Sequence, residues 1–467
     1  MKKLYILNNI IIPIISLFFL AFLLGSCKKQ QEWLEIKPNL NNITPERVTE
    51  FQALLDFESN YTSKGLLTVV SAAPFSLSDA EYNAISSGVI RNSYTWNKQI
   101  FEGKSTTDWG TNYNLIAIAN ICLEGIAKIS VTQLNQNAYN QVKGTALFLR
   151  ANTNLNLLEA FAKPYNANTA DKDLGIVLKL TSSLDERVER SSIKKCYDQI
   201  ISDLNEAVKL LPEQTTVQIR PTSTAAKALL ARTYLLIENW NLAAQMAAEA
   251  LSANSFLIDF NTISTTATIP FPTLQNKNPE VLFYSEMTSA LEYGSNGSFI
   301  DSTFYQSYHN NDLRRLIFFR VFNNRPIFKG YYTGRTITPF GGIAINELYL
   351  IRAEALARLN EHSNAMSILN SLLIKRWRTG TFVPLTANNA EDALSKIITE
   401  RRKELPFTGH LPWMDLRRLN KDNRFARTLK RTIMGQEYIL LPNSPNYVLP
   451  IPDEEIRFSG IPQNERQ

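Results

Sequence analysis

Apolar and small residues recur at helical spacing in two separated parts of the chain. Tyr113, Ile116, Ala117, Ile121, Leu123, Ile126 and Ile129 form one such stripe. Val142, Ala146, Leu149, Ala151, Leu155, Leu158 and Phe161 form a stronger one, and Tyr197, Ile200, Leu204, Ala207 and Leu211 a third. A repeat of three or four positions puts each set on one face of an α-helix. Lys163-Pro164-Tyr165 and Pro212 end the second and third, since proline cannot continue a helix.

The next stretch repeats itself. Thr222 or Ser223 can cap a helix through Ala225, Ala228, Leu229, Ala231 and Leu235, and a second begins at Trp240 with Ala243, Ala247, Ala250 and Leu251. The same plan returns in Leu348 to Arg376. Ile351, Ala353, Ala357, Leu359 and Ala365 each stand 122 positions after Leu229, Ala231, Leu235, Ile237 and Ala243. Small residues at this spacing let antiparallel helices approach closely, as in tetratricopeptide repeat pairs. With Tyr113–Leu211, about four pairs are predicted. Such pairs bury their apolar faces by stacking, so they form one scaffold, over 113–253 and 344–420.

The flanking stretches are less regular. Thr44 and Pro45 predict the start of a helix carrying Val48, Phe51, Leu54 and Leu55. Residues 59–111 lack long periodicity and predict an irregular region with one or two short helices. Residues 254–343 are dense in aromatics and arginines, with an Asn296-Gly297 turn, and predict short strands and loops folded onto the scaffold. Tyr447 to Ile456 predicts a proline-fixed extended tail. The run Arg417, Arg418, Lys421, Arg424, Arg427, Lys430 and Arg431 predicts a solvated basic face.

The first 26 residues have a different character. Lys2 and Lys3 precede an apolar run from Ile10 to Leu24, and Leu24-Gly25-Ser26-Cys27 closes it. The run is shorter than the roughly 20 residues a spanning helix needs. Basic, apolar and small-residue segments in this order make a cleaved secretory leader, and a cysteine at the cut site makes it a lipoprotein leader. Residues 1–26 are therefore expected to be removed. Cys27 then becomes the lipid attachment site, residues 27–45 a tether and docking segment, and 46–467 a single body.

Charge and composition exclude several classes. The formal charge of +6 falls to +4 when Lys2 and Lys3 leave, which is a weak excess and no argument for nucleic acid. After Cys27, Cys122 and Cys196 are too few for a disulfide framework or a zinc site; they predict buried thiols or at most one bridge. His309, His362 and His410 lack ligand spacing, so no metal or other cofactor is expected. No Gly-x-Ser-x-Gly elbow, P-loop or His-Glu-x-x-His occurs.

Several motifs together resemble the SusD/RagB family of outer-membrane nutrient-binding lipoproteins. They are the lipobox ending at Cys27, Trp33-Leu34-Glu35-Ile36-Lys37-Pro38, Phe161-Ala162-Lys163-Pro164-Tyr165 and Arg220-Pro221-Thr222. Arg352-Ala353-Glu354-Ala355, Glu400-Arg401-Arg402-Lys403-Glu404-Leu405, Asp415-Leu416-Arg417-Arg418 and Leu449-Pro450-Ile451-Pro452 follow in order. The resemblance implies a mainly α fold in which the helix pairs form a right-handed scaffold beside a loop-rich subdomain. It also implies an outer-membrane position facing outward, beside a SusC-like TonB-dependent transporter that receives captured oligosaccharide, or in some members peptide, without chemistry on it.

A sugar-binding surface also follows from the residues. Sugar C–H faces pack on flat rings, and hydroxyls need polar side chains. Asp79, Arg91, Tyr94, Trp96, Asn97 and Trp109 combine both in the first irregular segment, and Tyr293, Tyr305 and Tyr331 add rings in the second. The competing readings are a peptide binder, a surface glycan-cleaving enzyme with two spaced carboxylates, and a purely structural partner of the transporter. If Trp96 stacks on a ligand, its removal leaves stability intact; if it is core, stability falls.

Overall fold

Polar side chains set where the long helices begin. Ser192, Thr222, Asn239 and Asn389 each accept from the amide three residues ahead, at 3.3, 3.1, 3.2 and 2.9 Å. The computed structural model describes residues 45–467 apart from 63, 104–106, 184, 187, 291 and 293. The leader, Cys27, the Trp33–Pro38 motif, Thr44 and Tyr293 lie outside the described residues. The scaffold helices are α1 (Val48–Leu55), α2 (Thr107–Ile126), α3 (Gln136–Phe161), α4 (Ile193–Leu210), α5 (Ser223–Leu236), α6 (Trp240–Ala253), α7 (Ile345–Arg358), α8 (His362–Leu373), α9 (Ala390–Glu404) and α10 (Leu411–Leu419). From α2 to α9 each helix packs on the next, and residues 47–467 form one compact unit.

The internal repeat survives in detail. Both α5 and α7, and α6 and α8, begin 122 positions apart. The connecting turns also match: Glu238 (φ 63°) and Asn360 (φ 69°) take the left-handed conformation at equivalent positions. Ala225, Ala228 and Ala231 of α5 and Ala243, Ala247 and Ala250 of α6 are almost wholly buried. Without larger side chains the helix axes can close up.

Ten short strands pair antiparallel in twos, among the described residues. β1 (Phe75–Leu77) meets β5 (Ser298–Ile300) with Phe75 opposite Ile300, and so ties the first irregular stretch to the second. β2 (Leu174–Val177) pairs with β3 (Arg190–Ser192), and β4 (Val281–Phe283) with β8 (Ile343–Ala344). β6 (Phe319–Phe322) and β7 (Arg325–Phe328) are joined by Asn323-Asn324, and β9 (Leu429–Ile433) and β10 (Gln436–Leu440) by Met434-Gly435. All four turn residues have positive φ, as tight hairpins require.

Arginine–carboxylate pairs bind the irregular part to the scaffold. Arg314 is fully buried and reaches Asp312 (2.7 Å), Glu400 (2.5 Å) and Glu404 (3.2 Å). Arg376 joins Glu404 (2.9 Å) to Glu280 (3.0 Å), and the Tyr332 hydroxyl donates to Glu280 (3.0 Å). Burial disfavours ionised Asp312, yet Arg314 and Lys403 beside it hold its carboxyl below the usual range. A second chain of pairs clips helices together. Arg232 of α5 grips Glu347 of α7 at 2.6 and 2.9 Å. Arg418 of α10 grips Glu354 of α7 at 2.5 and 2.7 Å, and Asp415 joins Arg418 and Arg401, each at 2.8 Å.

Several expectations need correction. Pro45 precedes the first helix, which begins at Val48 behind Arg47. Three short α-helices, Leu67–Ala72, Asp79–Ala84 and Gly88–Tyr94, occupy the first irregular stretch. The terminal tail is not wholly extended, because Asp453–Ser459 is helical and Gly460 ends it in the left-handed region at φ 71°. The basic run is not one solvated face either: Arg417, Arg418 and Arg431 are buried. Cys122 and Cys196 are separate buried thiols, and burial pushes them up to about 12 and about 11. No helix of the described residues is long and apolar enough to cross a membrane.

Two outcomes follow from this packing. Arg376→Ala leaves Glu280 and Glu404 without their shared partner in the interior, and should cost about 3–5 kcal/mol in urea unfolding. Lys64 is 6% exposed with its ammonium donating to the Ser59 carbonyl at 3.0 Å, and burial lowers its pKa from 10.5 to about 7. Between those values the unfolded chain holds more protons than the folded one. Lys64 should therefore make stability rise as pH increases from 7 to 10.5, and Lys64→Met should flatten that part of a stability–pH curve.

Candidate functional site

A cavity of about 580 Å³ opens between α9, α10, the 424–431 segment, β1 with the residues before it, and the short helix Ser302–Gln306. This is within the size range of small-ligand sites. Leu416, Leu419 and Phe425 supply apolar wall, and Ser307 and Thr399 bring hydroxyls. The end of α9 shows how a helix divides its side chains. Glu400, Arg401, Lys403 and Glu404 point into the buried ion pairs. At about 100° per residue, Arg402 faces away from those pairs; Arg401 and Lys403 also border the cavity, but only Arg402 turns toward it without an ion pair among the described residues.

Three further arginines come from the segment after α10. Arg424 is matched by Asp422 (2.6 Å) and Glu391 (3.5 Å). Arg427 is placed by its own amide, which donates to Asn420 Oδ1 at 3.0 Å. Strand alternation turns Arg431 inward, where it donates to the carbonyls of Val70 (2.8 Å), Ser71 (3.1 Å) and Tyr94. Its guanidinium lies 3.9 Å from the Tyr94 ring centre and 4.5 Å from that of Trp96. Burial lowers Arg431 to about 10. Arg402 reaches solvent, but loss of surrounding water, with Arg427 adding repulsion, also lowers it to about 10.

The residues expected to meet a ligand fall into different environments. Tyr94, Trp96, Trp109 and Tyr331 are core, at 1, 4, 6 and 3% exposure, and such rings offer almost no face for stacking. Trp96 borders the cavity, but its ring packs with Trp413, Leu416, Leu440 and Tyr447, and its indole N–H donates to the Ser71 carbonyl (3.1 Å). Trp109 lies against Tyr113 and Phe161, with its N–H on Glu455 (3.2 Å). Tyr331 packs edge-on against Phe328. Asp79 is exposed and accepts from the Met434 amide (2.8 Å), at the β9–β10 turn. Arg91 is half-buried and donates to the Ile85 carbonyl. Asn97 is exposed, and Tyr305 is half-buried beneath the Arg315 guanidinium at 4.6 Å. Among these residues the cavity takes in only Trp96. Arg402 appears in the sequence only as part of a family motif and Arg427 only in the basic run, neither as a ligand residue, although the helical period of residues 400–404 places Arg402 opposite its neighbours.

Comparisons with known proteins agree with this architecture. Residues 32–235 match a SusD-like family described as starch-binding and associating with the outer membrane. The chain is 25% identical over 428 residues to SusD-like protein P2 of Formosa agariphila, covering 78% of this chain and 80% of that one. A putative sugar-binding protein from Bacteroides vulgatus shares the fold with a TM-score of 0.73 at 23% identity, over 91% of this chain and 99% of that one. A SusD superfamily protein from Bacteroides thetaiotaomicron does so with a TM-score of 0.72 at 21% identity, over 90% and 100%.

The burial of Trp96 makes a direct prediction. Trp96→Ala should destabilise the protein by about 3–5 kcal/mol and lower its melting temperature. Asn97→Ala, on the exposed neighbour, should stay within about 0.5 kcal/mol of the parent.

Proposed function

We propose that this chain, which matches a SusD-like family over residues 32–235 and shares the fold of SusD superfamily structures, is a surface lipoprotein that captures saccharide and hands it to a SusC-like TonB-dependent transporter. The observation that carries this reading is the walled cavity of about 580 Å³ on such a fold, with apolar wall, hydroxyls and guanidinium groups on one surface. That combination suits a ligand that is apolar on its C–H faces and polar at its rim. Cys27 is the proposed lipid anchor, and the 27–45 segment links it to the body. Stable anchoring takes two membrane signals, which several acyl chains on one residue supply.

We propose capture without cleavage. A glycosidase needs two carboxyl groups able to act as acid and as base or nucleophile. The carboxylates lining this cavity, Asp301 and Asp415, are already engaged. Asp301 accepts from the Phe304 amide at 2.7 Å as a helix cap, and Asp415 is held by Arg401 and Arg418, each at 2.8 Å.

Two measurements test the reading. Calorimetry of the purified chain against a panel of neutral and charged oligosaccharides should show binding with no change in the sugar; release of shorter products would favour an enzyme. In cells, Cys27→Ala should move the protein from the membrane fraction to the soluble one with its melting temperature unchanged. Continued membrane attachment of this variant would rule out the lipid anchor.

A further inference from the structure

Among the described residues, two guanidinium groups in the cavity have neither a carboxylate in contact nor, as Arg431 has, backbone carbonyls to hold them. Arg402 comes from the end of α9 and Arg427 from the segment after α10. Their basic neighbours are matched: Arg401 by Asp415, Lys403 by Glu400 and Asp312, and Arg424 by Asp422 and Glu391. Among the described residues neither Arg402 nor Arg427 has a carboxylate in ion-pair contact. Arg402 lies over the Phe304 ring at 4.7 Å, which orients the guanidinium without neutralising it. Asp301, which caps the short helix through the Phe304 amide, acts on both arginines without contacting either, so one negative charge faces two positive ones and a net positive charge remains.

Two cations facing one cavity repel each other, and an anion between them would remove that cost. The planar fork of arginine fits a carboxylate or sulfate through paired hydrogen bonds. The remaining lining favours a sugar as the carrier of that anion. Ser307 and Thr399 already donate to the Phe304 and Ser395 carbonyls, at 2.6 and 2.9 Å, so each hydroxyl oxygen keeps lone pairs for a sugar hydroxyl to donate to. Half-buried Phe425 provides surface for ring C–H groups.

We propose that the cavity takes an acidic saccharide, with a carboxylate or sulfate seated between Arg402 and Arg427. This rests on the saccharide-capture reading above and adds the charge of the ligand to it. The test is calorimetric titration of the purified full chain with trigalacturonate, a sulfated galactose trisaccharide, neutral maltotriose and tetraglutamate, at low and at physiological salt. An acidic trisaccharide should bind at least about tenfold more tightly than maltotriose and weaken as salt rises. The trisaccharide that does so identifies the anion as carboxylate or sulfate.

The variant R402Q/R427Q should lose about tenfold or more of that affinity, with a melting temperature within about 2 °C of the parent. R402K keeps the charge without the fork, and should lie between the two in affinity. Should the double variant fold poorly, R402K and R427K carry the same comparison, and affinities equal to the parent overturn the proposal. Maltotriose binding as tightly as the acidic sugars, unaffected in the double variant, overturns the acidic preference and leaves saccharide capture standing. Binding of no saccharide at all overturns both readings. Tetraglutamate binding more tightly than every sugar, through the same arginines, overturns the assignment to saccharides.

Discussion

Glu404 and the two arginines that share it hold the architecture together. Arg376 follows the α8 hairpin, Arg314 comes from the aromatic insertion, and both reach a carboxylate at the end of α9. Asn346 of α7 adds a hydrogen bond to the same carboxylate at 3.0 Å. Charges this deep are tolerated only when every partner is in place, so the network sets which surfaces must meet. The insertion can dock on the scaffold only where Asp312, Arg314 and Glu280 find their counterparts.

The same constraint builds the cavity. Because four of the five residues from Glu400 to Glu404 are committed to interior pairs, α9 cannot rotate, and Arg402 is fixed toward the opening. The segment after α10 is held in a similar way. Arg418 is locked to Glu354 and Asp415, Arg431 is bound to three backbone carbonyls, and Arg427 projects from the stretch between them. Arg431 and Arg402 show two fates for one side chain. The first is satisfied by carbonyls and ring faces and acts as structure. The second faces open space with no carboxylate in contact.

The motifs behind the family resemblance prove to be structural where they are described. Glu354 and Arg418 pair with each other, Glu400 and Glu404 anchor Arg314 and Arg376, and Arg220 pairs with Asp56 at 2.6 Å. Leu449 donates its amide to the Ala160 carbonyl at 2.9 Å. Residues of this kind mark a fold because each buried charge needs an opposite charge at one place in the interior. Arg402 is the exception: it sits in the Glu400–Leu405 motif, pairs with no carboxylate among the described residues and lines the cavity, so one motif carries both scaffold and cavity residues.

Periodicity alone determined the helices, the 122-residue repeat and the stops after Phe161 and Leu211, since each is a matter of spacing within a few turns of chain. Tertiary structure decided which rings and charges are interior. Trp96 is covered by Trp413 and Tyr447, and Tyr94 by Arg431, across more than 300 positions of sequence. Nothing local distinguishes a tryptophan awaiting such a partner from one awaiting a sugar. For Arg402 the difference was within reach, because helical geometry shows its direction; that no carboxylate waits there is a fact of the folded surface.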